Sequence, residues 1–204
     1  MTDIRDLNAR AVRDSIDIVR QVKAADLERP TPCEGWTLAD LLGHMTVQHR
    51  GFAAAARGDG ADMKHWEFTP AGVDAVEQYI AASEDVLAAY AELDDSLDSP
   101  FDLPEFAVDP PRFPARTAIG FHLIDYVVHA WDVAVALGVP YVLPTELEEI
   151  ALKITLAVPN GDNRTAEGSA FVPALAVPGD VSDASTLDRI LLHLGRTPGW
   201  RPAA

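Results

Sequence analysis

The most informative segment of the chain reads Phe121-His122-Leu123-Ile124-Asp125-Tyr126-Val127-Val128-His129-Ala130-Trp131-Asp132. At about 100° per residue, its apolar side chains cover most of a helix circumference, which is typical of a helix in the middle of a core. Three polar residues, His122, Asp125 and His129, nevertheless recur at spacings of three and four and therefore share one stripe. Because a buried carboxylate is costly unless it is paired or bound to a cation, the rest of the chain should provide a partner for Asp125.

The flanking sequence predicts further helices. Thr2 or Asp3 can cap a first helix that runs to about Val22. Thr37 and Asp40 have the spacing of a capping box, which opens a second helix from Leu38 to about Arg57. The other helices are predicted over about residues 71–93, 115–137, 144–158 and 186–194, with Gly138 as the C-cap glycine of the central one.

These elements predict an all-α protein, with a four-helix bundle over about residues 1–140. A C-terminal extension over about residues 141–204 adds one or two helices, and residues 170–177 could form a short strand. Five prolines between residues 94 and 114 predict a long loop, of the kind that often packs over a functional site. We expect all 204 residues to form a single domain.

The composition argues against several classes of partner. The formal net charge is −16, so no basic patch is available for a nucleic acid or an anionic membrane. Cys33 is the single cysteine, which excludes an intramolecular disulfide framework. The N-terminal residues lack the apolar run of a signal peptide, and no apolar stretch of membrane-spanning length is evident. We therefore expect a cytoplasmic protein with no nucleic-acid or membrane partner.

The polar stripe predicts a metal centre on the central helix. Asp125 and His129, at positions i and i+4, can coordinate one ion. His122 could be a further ligand, or it could lie outside the coordination shell and orient the ligands. His44 on the second helix is the best candidate for a third ligand, whereas His49 lies in an apolar face and is interpreted as a core histidine. Two imidazoles and a carboxylate suit zinc, with nickel and iron as alternatives. The competing interpretation is a metal-free Asp–His pair that holds the bundle together.

Other motifs are weaker or missing. Cys33 precedes a helix N-terminus, which would favour a reactive thiolate, but a small buried apolar residue beside Trp36 is the simpler interpretation. The sequence has no nucleophile elbow, phosphate loop or dinucleotide-binding glycine fingerprint. Nucleotide-dependent chemistry therefore has no support.

Three segments carry a resemblance to a known family. They read Thr31-Pro32-Cys33-Glu34-Gly35-Trp36-Thr37-Leu38-Ala39-Asp40-Leu41-Leu42-Gly43-His44, then Asp125-Tyr126-Val127-Val128-His129-Ala130-Trp131-Asp132-Val133-Ala134, and finally Leu187-Asp188-Arg189-Ile190-Leu191-Leu192-His193-Leu194-Gly195-Arg196-Thr197-Pro198-Gly199-Trp200. Together they resemble an actinobacterial subgroup of the mycothiol-dependent maleylpyruvate isomerase N-terminal family, within the DinB-like superfamily.

The resemblance implies a DinB-like four-helix bundle with a divalent metal ion held by His44, Asp125 and His129. The isomerase has a glutamate at the position that matches Asp125, so this chain has a ligand shorter by one methylene. The isomerase also has a larger C-terminal domain, whereas only about 60 residues follow the central helix here. The isomerase reaction itself therefore does not transfer directly to this chain.

The leading hypothesis is a metal-dependent enzyme, a mycothiol-dependent S-transferase or isomerase that joins a small-molecule thiol to a small electrophile. His122, one turn from the ligands, is the predicted general base or supporting group. The alternative is a non-catalytic metal- or ligand-binding bundle, because a fold does not guarantee chemistry. A metal-free interaction protein is the third hypothesis. We also expect that the protein could form a homodimer.

Overall fold

A computed structural model of the protein describes residues 2–106, 108–165, 171–176 and 184–202. These residues contain six α-helices and one two-stranded antiparallel sheet. The helices are α1 (Ile4–Val19), α2 (Leu38–Ala56), α3 (Ala75–Ala91), α4 (Ala115–Leu137), α5 (Thr145–Ala157) and α6 (Thr186–His193), and the strands are β1 (Pro100–Asp102) and β2 (Arg112–Pro114). The predicted all-α fold is therefore confirmed.

Local sequence explains where the helices begin and end. The Asp3 side chain accepts a hydrogen bond from the backbone of Arg5 at the start of α1. Thr37 and Asp40 form the predicted capping box of α2. Gly138 ends α4 at a φ of 75°, which a glycine adopts without steric cost.

The central helix α4 packs against α1, α2 and α5. Its apolar side chains enter three clusters on different faces: Tyr126 faces α1, α2 and α3, Ile119 faces the sheet, and Trp131 faces α5 and α6. By length and composition α4 could span a membrane, contrary to the expectation from sequence, but 83% of its most apolar window is buried inside the protein. The apolar surface of α4 is therefore buried in the core of the protein.

Two details differ from the prediction. Residues 94–114 are not a plain loop, because Phe101 pairs with Phe113 in the β1–β2 sheet and the Phe101 side chain is fully buried. Two of the five prolines, Pro100 and Pro114, pair at the outer ends of the strands, and the other three lie in the segment that connects the strands. The strand predicted at residues 170–177 is absent from residues 171–176, and its two end residues lie outside the described residues.

Candidate metal centre

Helices α2 and α4 bring three ligand-type side chains to one point. Nε2 of His129 lies 3.2 Å from Oδ1 of Asp125, and Nε2 of His44 lies 4.0 Å from Oδ2 of the same carboxylate. One donor atom from each of the three residues lies within 4.8 Å of the others. The Asp125–His129 proximity follows from their i, i+4 spacing on α4, whereas His44 reaches the point from the facing helix.

The centre is buried on one side and open on the other. The side chain of His129 is 7% exposed, while those of His44 and Asp125 are 25% and 24% exposed. The open side is bordered by Trp36, whose ring centroid lies 5.1 Å from that of His44 and which stacks on the exposed Phe68. A small molecule from solvent can therefore approach His44 and Asp125 beside an aromatic wall.

The charges of the three side chains differ sharply. Burial alone would raise the pKa of Asp125, but the neighbouring His129, helped by His44 and His122, lowers it to about 2. Burial disfavours a charged imidazole at His129, yet Asp125, Asp132 and Cys33 hold its pKa well above the ordinary value. Burial lowers the pKa of His44 to about 4. Asp125 is therefore anionic and His44 is neutral at pH 7, the forms in which each can bind a metal ion. His129 is cationic at pH 7 and would release a proton on binding one.

A second carboxylate holds the other side of His129. Nδ1 of His129 lies 2.9 Å from Oδ2 of Asp132, which is fully buried. Arg196, from the segment that follows α6, donates to both oxygens of Asp132 and also lies 3.2 Å from Sγ of Cys33. Cys33 is half-buried and, like Trp36, packs against the apolar core, while its Sγ also contacts this polar group. The i, i+3 spacing of His129 and Asp132 was the available signal for Asp132.

Two other groups of ligand-type residues occur within the part of the chain that the structure describes. Cys33, His129 and Asp132 form one, but the guanidinium of Arg196 already contacts Cys33 and Asp132 there. Asp59, Asp62 and His65 form the other, at the surface, where Lys64 lies 2.6 Å from Asp62 and His65 lies 2.8 Å from Asp59. In both groups, protein cations or hydrogen bonds already pair with the ligand-type side chains.

His122 is placed elsewhere, although it shares a stripe with Asp125 and His129. Its Nδ1 accepts a hydrogen bond from the Asn8 amide at 2.8 Å, and its Nε2 lies 3.1 Å from Nδ1 of His49. His49 in turn reaches Ser83 at 2.8 Å, and it is fully buried as predicted. Because both ring nitrogens of His122 are engaged in this network, the geometry does not bring it to the centre as a general base.

Comparisons with known proteins agree with this architecture. The model of the family described as the mycothiol maleylpyruvate isomerase N-terminal domain matches residues 9–134. Uncharacterized proteins from two strains of Mycobacterium tuberculosis are 27% identical over 184 residues, which cover 88% of this chain and 90% of each relative.

Two crystal structures of the mycothiol-dependent maleylpyruvate isomerase, one of them a mutant, share the fold. Their TM-scores are 0.59 and 0.58 at 15% and 16% sequence identity, over 81% of this chain and 75% of theirs. The family match includes all three ligand-type residues and ends before Arg196. The chain therefore belongs to the mycothiol maleylpyruvate isomerase N-terminal domain family.

Proposed function

We propose that His44, Asp125 and His129 hold a divalent metal ion, and that the protein uses it in a thiol-dependent transfer or isomerisation of a small electrophile. Family membership and the relatives that are described as mycothiol-dependent support mycothiol as the thiol. The observation that carries the proposal is the convergence of three donor atoms from two helices at a site open to solvent.

The donor set fits a divalent ion. Ligands about 2.0–2.2 Å from a tetrahedral zinc ion lie roughly 3.4 Å from one another. The 3.2 Å and 4.0 Å separations around the Asp125 carboxylate bracket that value, and its two oxygens face one histidine each. Two imidazoles and one carboxylate favour zinc, with nickel or iron as alternatives. They also leave coordination positions for a substrate on the exposed side.

The charge of the site supports a thiol cosubstrate. Once His129 had released its proton, a divalent ion held by two neutral imidazoles and one carboxylate would carry a net charge near +1, and it would deprotonate a coordinated thiol and so supply a nucleophile. The chain's own residues hold and orient the reactants: His44 and Asp125 face the opening, and Trp36 and Phe68 offer an apolar surface for an electrophile. Asp132 keeps His129 in place from the buried side.

The test is a thiol-conjugation assay at pH 7 with mycothiol and chlorodinitrobenzene, in which the thiolate displaces chloride. A free thiol with a pKa near 8.5 is only about 3% thiolate at this pH, so complete deprotonation alone accelerates the reaction by about 30-fold. We expect at least that acceleration with zinc-loaded protein, and its loss after chelation or in His129→Ala. His65→Ala, which removes a partly exposed histidine outside the centre, is the matched control and should keep the full rate.

A panel of other electrophiles, including cis-alkenoic acids for isomerisation, extends the assay. If zinc-loaded protein accelerates none of these reactions over the chelated protein, the enzyme proposal fails. The non-catalytic metal-binding bundle would then be the better description.

A further inference from the structure

Arg196 is a buried cation at the end of the chain's last helix. It is 7% exposed, and Nε lies 3.1 Å from Oδ1 of Asp132 while Nη2 lies 3.1 Å from Oδ2. Nη2 also lies 3.2 Å from Sγ of Cys33. The planar guanidinium thus engages both oxygens of one fully buried carboxylate, which a lysine ammonium cannot reproduce.

A helix-ending turn positions this side chain. Gly195 follows α6 with a φ of 77°, its N–H bonds to the carbonyl of Leu192, and the N–H of Arg196 bonds to the carbonyl of Leu191. This pattern is a Schellman motif, which fixes the direction in which the chain leaves a helix. The turn directs Arg196 back toward α4, 64 residues earlier in the sequence.

Asp132 connects Arg196 to His129, because its carboxylate contacts both side chains. Oδ2 of Asp132 contacts Nδ1 of His129, which leaves Nε2 of the same ring facing Asp125 at 3.2 Å. A carboxylate that holds one ring nitrogen fixes the tautomer and the orientation in which the other nitrogen binds a metal ion. Removal of the guanidinium would leave the buried Asp132 carboxylate with His129 and the Cys33 thiol as its partners and without the two-pronged contact that fixes its orientation.

We infer that Arg196 is a positioning residue for the metal centre, acting through Asp132 to orient His129 and thereby raise the affinity for the ion. The inference rests on the proposed metal site. It extends that site beyond residues 9–134, which the family model matches, because the C-terminal segment supplies an essential part of it. The C-terminal extension is therefore a functional component of the centre as well as a packing element.

Zinc affinity of the full chain, measured by competition with a chromogenic chelator, tests the inference. Loss of a residue that orients a metal ligand costs about 10- to 100-fold in affinity. We expect that loss in Arg196→Gln and in Asp132→Asn, and a smaller loss in Arg196→Lys, which keeps the charge but not the two-pronged contact. Exposed Arg201→Gln, in the same C-terminal segment, is the control and should bind zinc like the wild type.

The double variant Asp132→Asn/Arg196→Gln decides how Arg196 acts. If Arg196 works through Asp132, the double variant should bind zinc no more weakly than Asp132→Asn alone. It also removes both buried charges together, so it provides a folded protein if the single Arg196→Gln variant unfolds. The absorption spectrum of bound cobalt should shift in both single variants, since the orientation of a ligand changes.

Three outcomes would overturn the inference. Folded Arg196→Gln with zinc affinity within twofold of the wild type would show that Arg196 does not support the centre. Additive losses in the double variant would show that it does not act through Asp132. If the wild type binds no zinc, the proposed function fails and this role fails with it, whereas the first two outcomes leave the metal site intact.

Discussion

His129 is the residue on which the candidate centre depends, because each of its ring nitrogens faces a different carboxylate. Nδ1 contacts Asp132 at 2.9 Å and Nε2 lies 3.2 Å from Asp125. The first contact is buried, and Arg196 donates to the same carboxylate, while the second lies at the solvent side with His44. One carboxylate therefore orients the ring and the other is free to share an ion with it.

The buried network around His122 predicts a specific response to acid. Burial lowers the pKa of His122 to about 3 and that of His49 well below its ordinary value, with each histidine part of one hydrogen-bonded chain. Below pH about 6.5 the unfolded chain binds protons that the folded protein does not. The free energy of unfolding should therefore fall as the pH drops from about 6.5 toward 3, and it gains nothing from these groups above 6.5.

Denaturant unfolding of the wild type and of His122→Gln at several pH values checks this pH dependence of the free energy of unfolding. Each such histidine contributes about 1.4 kcal/mol per pH unit to the slope of stability against pH. We expect the slope between pH 6 and 4.5 to be shallower by about that amount in the variant. Ser83→Ala removes a hydrogen bond of the same network but no titrating group, so it should lower stability and keep the slope. A wild-type slope in His122→Gln would contradict the account.

Sequence could predict that Asp125 and His129 lie together on α4 because residues four apart on a helix must lie on one face. The same rule also grouped His122 with these two residues. His122 does share their stripe, but its position along the helix brings it to Asn8 and His49 instead. Arg196 could not be predicted, since 64 residues separate it from Asp132 and 163 separate it from Cys33. Only the turn after α6 and the packing of α6 bring them together.

At the scale of the elements, the close crossing at Gly43 shapes the open side of the centre. A Cβ at Gly43 would lie 2.3 Å from the backbone oxygen of Thr69, so the segment before α3 passes directly over α2. The backbone N–H of Ala71 bonds to the carbonyl of Ala39 in the same crossing. This places Phe68 against Trp36, next to His44.

Alanine at two helical glycines should therefore have opposite effects on stability. Gly43→Ala must displace the backbone of residues 69–71, at a cost of about 1–3 kcal/mol in the free energy of unfolding. Gly120→Ala in α4 makes only an ordinary contact with Ile154 at 3.5 Å, so it should stabilise by about 0.5–1 kcal/mol. Denaturant titrations of both variants provide the measurement, and a stabilised Gly43→Ala would show that the crossing is not tight.

Helix positions were largely predictable because capping residues are local signals. Thr37 with Asp40, and Gly138, mark the ends of α2 and α4 where the structure has them. The β1–β2 sheet was not predictable, since its three-residue strands are too short for a periodic pattern and two prolines end them. Phe101 forms a strand because of its burial among the bundle helices, which sequence spacing does not reveal.

At the scale of the whole molecule, the bundle and the C-terminal extension meet at the candidate centre. Helix α5 packs on α4 and α6 packs on α5, and Leu147 and Leu191 belong to the same apolar cluster as Trp131 of α4. Arg164 donates to the carbonyls of Val158 and His193 at the ends of α5 and α6. We propose that the 204 residues form one domain. In that arrangement the C-terminal extension covers the apolar side of α4 and also places the Arg196 side chain against Asp132.

Elemental analysis of tag-free wild type, His129→Ala and His65→Ala, each after zinc reconstitution and removal of loose metal, tests the central claim most directly. We expect about one zinc per chain in the wild type and in His65→Ala, because the three ligands do not include His65, and almost none in His129→Ala. A wild type without metal would contradict the account, as would zinc that persists in His129→Ala and is lost from His65→Ala.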